Sequence, residues 1–158
     1  MAKSQHVALI RQRAISACLK TFDERALSFG KADCVKLAAL ALRKQGVTVP
    51  LLKGVRYGSK TRALSALKAT GCVDLCAAVD RLGLVRLEGE PGETAPARTW
   101  PGDLIAMPAG KDDPFGASLC VVHTAGARRV IGLFEDKVFR VVKPDLALCL
   151  AAWRVSRG

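Results

Sequence analysis

Residues 28–37 read Ser28-Phe29-Gly30-Lys31-Ala32-Asp33-Cys34-Val35-Lys36-Leu37, and this stretch decides the fold. Gly30 breaks the chain, Asp33 stands where an N-cap would accept a free backbone N–H, and the apolar run Val35 to Leu42 supplies a buried face. A helix therefore starts at Cys34. It ends at Gly46, a residue suited to a left-handed cap, and Val47 to Pro50 lead out in extended form. A thiol in that first turn faces unpaired N–H groups and the positive end of the helix dipole, which favours thiolate, and Lys31 and Lys36 add to the effect. Cys34 is thus the cysteine with a physical case for reactivity; the competing reading is an ordinary buried first-turn residue.

Upstream, Val7, Ile10, Ala14, Ala17, Cys18 and Thr21 recur at three- and four-residue steps over residues 5–21, one face of an amphipathic helix with Arg and Lys opposite. Downstream, helical spacing over 61–70 (Leu64, Leu67) and 73–82 (Val73, Cys76, Ala77, Val79) is divided by Gly71. Residues 84–100 turn to Gly, Pro, Glu and Thr and read as a surface loop at a subdomain seam. Beyond it, Asp103–Met107, Ala117–Thr124, Arg129–Leu133 and Lys137–Val142 are short Val/Ile/Leu-bearing runs between turn residues, as antiparallel strands would be. Leu146 to Ala152 has room for a helical turn or two, and Trp153-Arg154-Val155 reads as a final edge strand. The fold class is α+β, in a single domain over residues 1–158: a helical half over residues 1–83, a loop over 84–100 and a sheet half over 101–158.

With 158 residues, half of them hydrophobic, the chain has enough apolar surface for one core and none for a second. The net charge of +11 is uneven: residues 1–68 hold 14 Lys/Arg against 3 Asp/Glu, residues 69–158 hold 11 against 11. No apolar run approaches the roughly 20 residues a membrane span requires, and the first residues lack the apolar core of a secretory signal, so folding in a cytoplasm is expected. The six cysteines lie within apolar runs and should be reduced and mostly buried.

Taken in order, Phe29-Gly30-Lys31-Ala32-Asp33-Cys34, Tyr57-Gly58-Ser59 with Ala63, Leu64, Leu67 and Gly71, Pro101-Gly102-Asp103-Leu104, Ile131-Gly132-Leu133 and Ala152-Trp153-Arg154-Val155 form a set over roughly residues 5–156. That set resembles small tailed-phage tail-tip proteins related to NlpC-type papain-like cysteine peptidases and amidases. The resemblance implies a papain-like (NlpC-type) fold in which a cysteine at a helix start packs on a small antiparallel sheet that normally supplies a histidine base. It also implies a place in the virion, in a phage tail assembled in the host cytoplasm, with other tail-tip proteins as partners and bacterial peptidoglycan as a further candidate.

Thiol catalysis requires a base within hydrogen-bond reach. His6 falls in the basic first helix, and His123 lies in the strand 117–124, the general place for a base. In the catalytic relatives the histidine opens this strand, two residues before a small residue; matching Cys120 to that small residue puts Ser118 in the base position and His123 at the far end. Residues 118 and 123 face opposite sides of a regular strand. Relatives also carry an aromatic after the Phe and a His before Asp-Cys, where this chain has Gly30 and Ala32. The expectation is a structural or assembly component of a phage tail tip with a degenerate site. The alternative is an active cysteine hydrolase of peptidoglycan peptide or amide bonds, with Cys34 as nucleophile and His123 as base.

Other constellations are weaker. Cys72 and Cys76 with Asp74 between them lack two further ligands and the spacing of a zinc knuckle, and the cysteines show no iron–sulfur spacing, so no metal and no cofactor are expected. Glu88, Glu90 and Glu93 read as a solvated charge run. The basic half should steer an acidic partner; few aromatics are free for base stacking, which argues for a protein over nucleic acid, with Arg56, Lys60 and Arg62 as its docking surface.

Overall fold

A computed structural model of the chain describes residues 2–50, 54–89 and 94–156. Four helices, α1 (Ala2–Phe22), α2 (Cys34–Lys44), α3 (Lys60–Ala69) and α4 (Leu75–Asp80), accompany six strands. The strands are β1 (Val85–Arg86), β2 (Leu104–Met107), β3 (Ser118–Thr124), β4 (Arg129–Leu133), β5 (Phe139–Val142) and β6 (Ala151–Arg154). They form one antiparallel sheet in the order β1-β6-β2-β3-β4-β5, so the protein is α+β. Among the described residues no helix is long and apolar enough to cross a membrane.

α2 begins at Cys34 as the sequence indicates. Asp33 Oδ1 accepts from the Lys36 N–H at 2.9 Å, and the helix runs to a Gln45 cap before Gly46 takes φ +80°. α1 presents Arg11, Ala14, Ile15, Cys18 and Phe22 to the core, so the expected stripe is partly wrong: Val7 and Thr21 are exposed. Two tertiary contacts set the observed face. Phe22 meets the Phe139 ring edge-on at 5.3 Å, and Arg11 reaches the sheet.

α4 is shorter than its spacing suggests, because the Asp74 side chain caps Ala77 N at 2.8 Å and so starts the helix at Leu75. Val73, expected on the buried face, is 86% exposed, and Cys72 precedes the helix. The expected loop 84–100 contains β1 and a 3-10 turn at Ala95–Arg98; Glu88 is exposed, and Glu90 and Glu93 lie outside the described residues. β1 covers the outer side of β6, so Trp153-Arg154 is no edge strand: β6 lies inside the sheet between β1 and β2. Residues 146–148 form one 3-10 turn.

Strand alternation separates two cores. Leu104, Leu119, Val121, Ile131, Phe139 and Trp153 pack with the helices, whereas Ile105, Cys120, Val122, Val130 and Ala152 face the loops that carry Leu87, Ala95, Ala127 and Leu146.

The Gly-Asp and Trp-Arg-Val pieces of the sequence meet at one buried carboxylate. Asp103, with no exposed surface, accepts from Arg11 at 2.9 Å, Arg154 Nε at 2.8 Å, Val155 N at 2.9 Å and Trp100 N at 2.8 Å. A desolvated carboxylate is tolerated only when its lone pairs are filled in this way. Arg154 also lies 3.5 Å above the Trp100 ring centroid, and Gln45 Nε2 donates to the Gly102 carbonyl at 2.8 Å, tying α2 to the same turn.

Candidate functional site

Cys34 opens on a cleft of about 550 Å³ between the start of α2, the start of α3 and the first residue of β3. Three structural devices fix its walls. Asp33 is one: besides capping α2, its Oδ2 accepts from Gly30 N at 2.8 Å and from the Tyr57 hydroxyl at 2.9 Å. Gly30 is another, since a Cβ there would sit 1.8 Å from the Tyr57 carbonyl oxygen and its φ is +85°. Together they explain why the Phe-Gly-Lys-Ala-Asp-Cys and Tyr-Gly-Ser pieces occur together: one grips the other. The third is the connection 108–116, whose Phe115 stacks on Phe29 at 6.1 Å and accepts from Leu75 N through its carbonyl at 3.0 Å. Sequence reasoning missed Asp113 and Phe115, because Lys111-Asp112-Asp113-Pro114 looks like any solvated turn.

Beside the thiol stand the Ser118 hydroxyl and the Leu119 backbone amide. Burial pushes the Cys34 thiol up to about 11; the Leu119 amide opposes this, the Asp33 and Asp113 carboxylates add to it, and the Ser118 hydroxyl opposes it. Of the two readings of Cys34, this favours the ordinary buried first-turn residue over the thiolate. Desolvation is the largest influence on the sulfur, and the Asp33 carboxylate that caps α2 adds to it. The lysines do not compensate: Lys31 is exposed, and Lys36 Nζ lies 5.7 Å from the Tyr57 ring centroid. The Tyr57 hydroxyl is held neutral, raised first by burial and then by Asp33.

No histidine is among the described residues that line the cleft. His123 lies five residues along β3 from Ser118, roughly 16 Å at the ordinary strand rise and far outside hydrogen-bond reach of the thiol. It sits at the register shift between Val122 and Thr124, and its Nδ1 is 3.1 Å from Thr124 Oγ1. His6 is on the exposed side of α1. The structure thus brings Cys34 and Ser118 together and leaves His123 toward the Asp103 end of the sheet.

Arg56, Lys60 and Arg62 are all exposed around the start of α3, where the helix dipole disfavours cations, and Lys60 also lines the cleft. All six cysteines are free thiols; Cys18, Cys72 and Cys120 are buried, and Cys34, Cys76 and Cys149 partly so. Among the described residues no three His, Cys, Asp or Glu side chains cluster as a metal site.

Comparison with curated proteins and with solved structures returns no match. A family match spans residues 9–155, which takes in α2, the cleft and the Asp103 cluster, and by it the chain belongs to the family described as a domain of unknown function, DUF6950.

Proposed function

We propose that this protein is a structural or assembly component of a bacteriophage tail tip, built on a papain-like scaffold of NlpC type whose catalytic site is degenerate. The observation that carries the reading is the partner of the thiol. Ser118, and no imidazole, stands beside Cys34, and the thiol is pushed up to about 11. A thiol so held is protonated at neutral pH and has no group to take its proton. The resemblance of the ordered motifs to tail-tip proteins supports the virion setting. The exposed cations Arg56, Lys60 and Arg62 fit docking on an acidic face of a neighbouring tail protein. Hydrolysis of peptidoglycan through Cys34 and His123 would need the two side chains to meet, and their placement separates them.

The test is incorporation. Reversing Arg56, Lys60 and Arg62 to Glu should leave the circular dichroism spectrum and the thermal midpoint near those of the parent while removing the chain from purified tails, as read by mass spectrometry. Normal incorporation of the triple variant overturns the docking claim. Absence of the unaltered chain from mature tails overturns the structural role.

A further inference from the structure

Behind the Cys34 cleft lies a second, apolar pocket of about 100 Å³. The two cavities share Val35, Tyr57, Ala63, Leu75 and Phe115, so the pocket abuts the cleft wall. Helical spacing carries the lining from one to the other. On α3, Lys60 lines the cleft, Ala63 lines both and Leu67 lines the pocket, at steps of three and four; on α2, Cys34 lines the cleft, Val35 both, and Ala38 and Leu42 the pocket.

The pocket has no use for water. Its polar liners are already engaged, the Thr70 hydroxyl with the Leu67 carbonyl and the Tyr57 hydroxyl with Asp33. An apolar space without free hydrogen-bonding groups stays dry and takes apolar guests; one of roughly 150 Å³ accepts benzene. A pocket somewhat smaller fits an aliphatic group of four or five carbons. The cleft's charged liners are Asp33, Asp113 and Glu135 with Lys60 and Lys137. Asp33 is engaged by the α2 cap and Tyr57 and Asp113 by Phe115 N, while Lys60, at the cleft end of the same α3 stripe, has no ion pair among the described residues. A carboxylate joined to an aliphatic branch would satisfy both ends at once, the branch in the pocket and the carboxylate on Lys60.

We infer that the cleft and pocket together form a binding site for an aliphatic carboxylate. This deepens the reading of the Cys34 site as one that does not catalyse, and it rests on that reading. Its readout is separate from tail incorporation, so either can fail alone. The same chemistry has two sources, a free short-chain acid or the terminal carboxylate of a chain ending in an aliphatic residue.

The experiment is a titration of the full-length, methyl-labelled protein followed by NMR, with hexanoate for the free acid and N-acetyl-leucine for the chain end. Hexanamide and acetate serve as controls that each lack one of the two features. Saturable shifts confined to the methyls of Val35, Leu42, Leu67 and Leu119 with either acid support the site, and the acid that binds more tightly names the source. Hexanamide and acetate should bind about tenfold or more weakly. Lys60→Gln should reduce hexanoate to the level of hexanamide. Ala66→Phe, which fills the pocket, should abolish the shifts in a folded protein; if it does not fold, Ala66→Leu should weaken them about tenfold. Shifts with neither acid, or undiminished binding in the filled variant, overturn the proposal.

Discussion

The acidity of Cys34 makes a quantitative prediction. Relative to the ordinary value of 9.0, a thiol pushed up to about 11 has lost a factor of about 100 in ionisation, about 3 kcal/mol. Alkylation proceeds through the thiolate, so at pH 7 Cys34 should react about 100 times more slowly in the folded protein than in the same protein in urea. The assay is a timed pulse of iodoacetamide followed by tryptic digestion. Cleavage after Lys31 and Lys36 isolates Cys34 from the other five cysteines. The folded-state rate should climb about tenfold per pH unit from 7 to 10 and bend near 11. A bend between pH 6 and 8 would show an activated nucleophile, folded-state labelling as fast as in urea an ordinary thiol, and either would refute the reasoning. Ser118→Ala removes a group that favours the thiolate and should slow labelling further. Ser118→His places an imidazole beside the sulfur and should accelerate labelling at neutral pH.

Asp103→Asn keeps the shape but leaves two guanidinium groups facing a neutral amide. Urea unfolding should show a loss of about 3–5 kcal/mol, and a loss below about 1 kcal/mol would mean the cluster is not coupled to stability. Gly30→Ala drives a methyl into the Tyr57 carbonyl at a positive φ and should destabilise by several kcal/mol (about 3 or more), with an unchanged thermal midpoint as the contrary result. Burial pushes Cys18 and Cys120 up to about 12 from 9.0, so the folded state holds their protons more tightly than the unfolded chain does. Their contribution to stability is therefore complete below pH 9 and lost as pH rises to about 12, and the urea midpoint should fall across that window; a flat midpoint contradicts it.

The start of α2 was legible because its determinants are local: a breaker at Gly30, a capping carboxylate at Asp33 and an apolar run. The same holds for β2 to β5, whereas Ser118 in the base position followed only from the resemblance, by matching Cys120 to the relatives' small residue. What the sequence hides is what distant partners decide. β1 has two exposed residues and exists through its pairing with β6, so no periodicity could reveal it. The core face of α1 is set by Phe139 and Asp103, more than 90 residues away in the chain. The state of Cys34 stays open in the sequence for a related reason. The dipole that would activate it is a property of the helix start, whereas the desolvation that silences it comes from β3 and the connection 108–116, which arrive from elsewhere in the chain.

The position of β6 also sets a schedule for synthesis. The last strand enters between two that precede it, and Val155 and Arg154 complete the shell of Asp103 that Arg11 opened. Until residues 151–155 are made, Asp103 lacks the Arg154 and Val155 donors and β2 keeps its β6 side unpaired. The helical half can condense early, but the sheet closes only once β6 is in place. A chain truncated before β6 should thus be a substrate for proteases, and one that includes residues 151–155 should not.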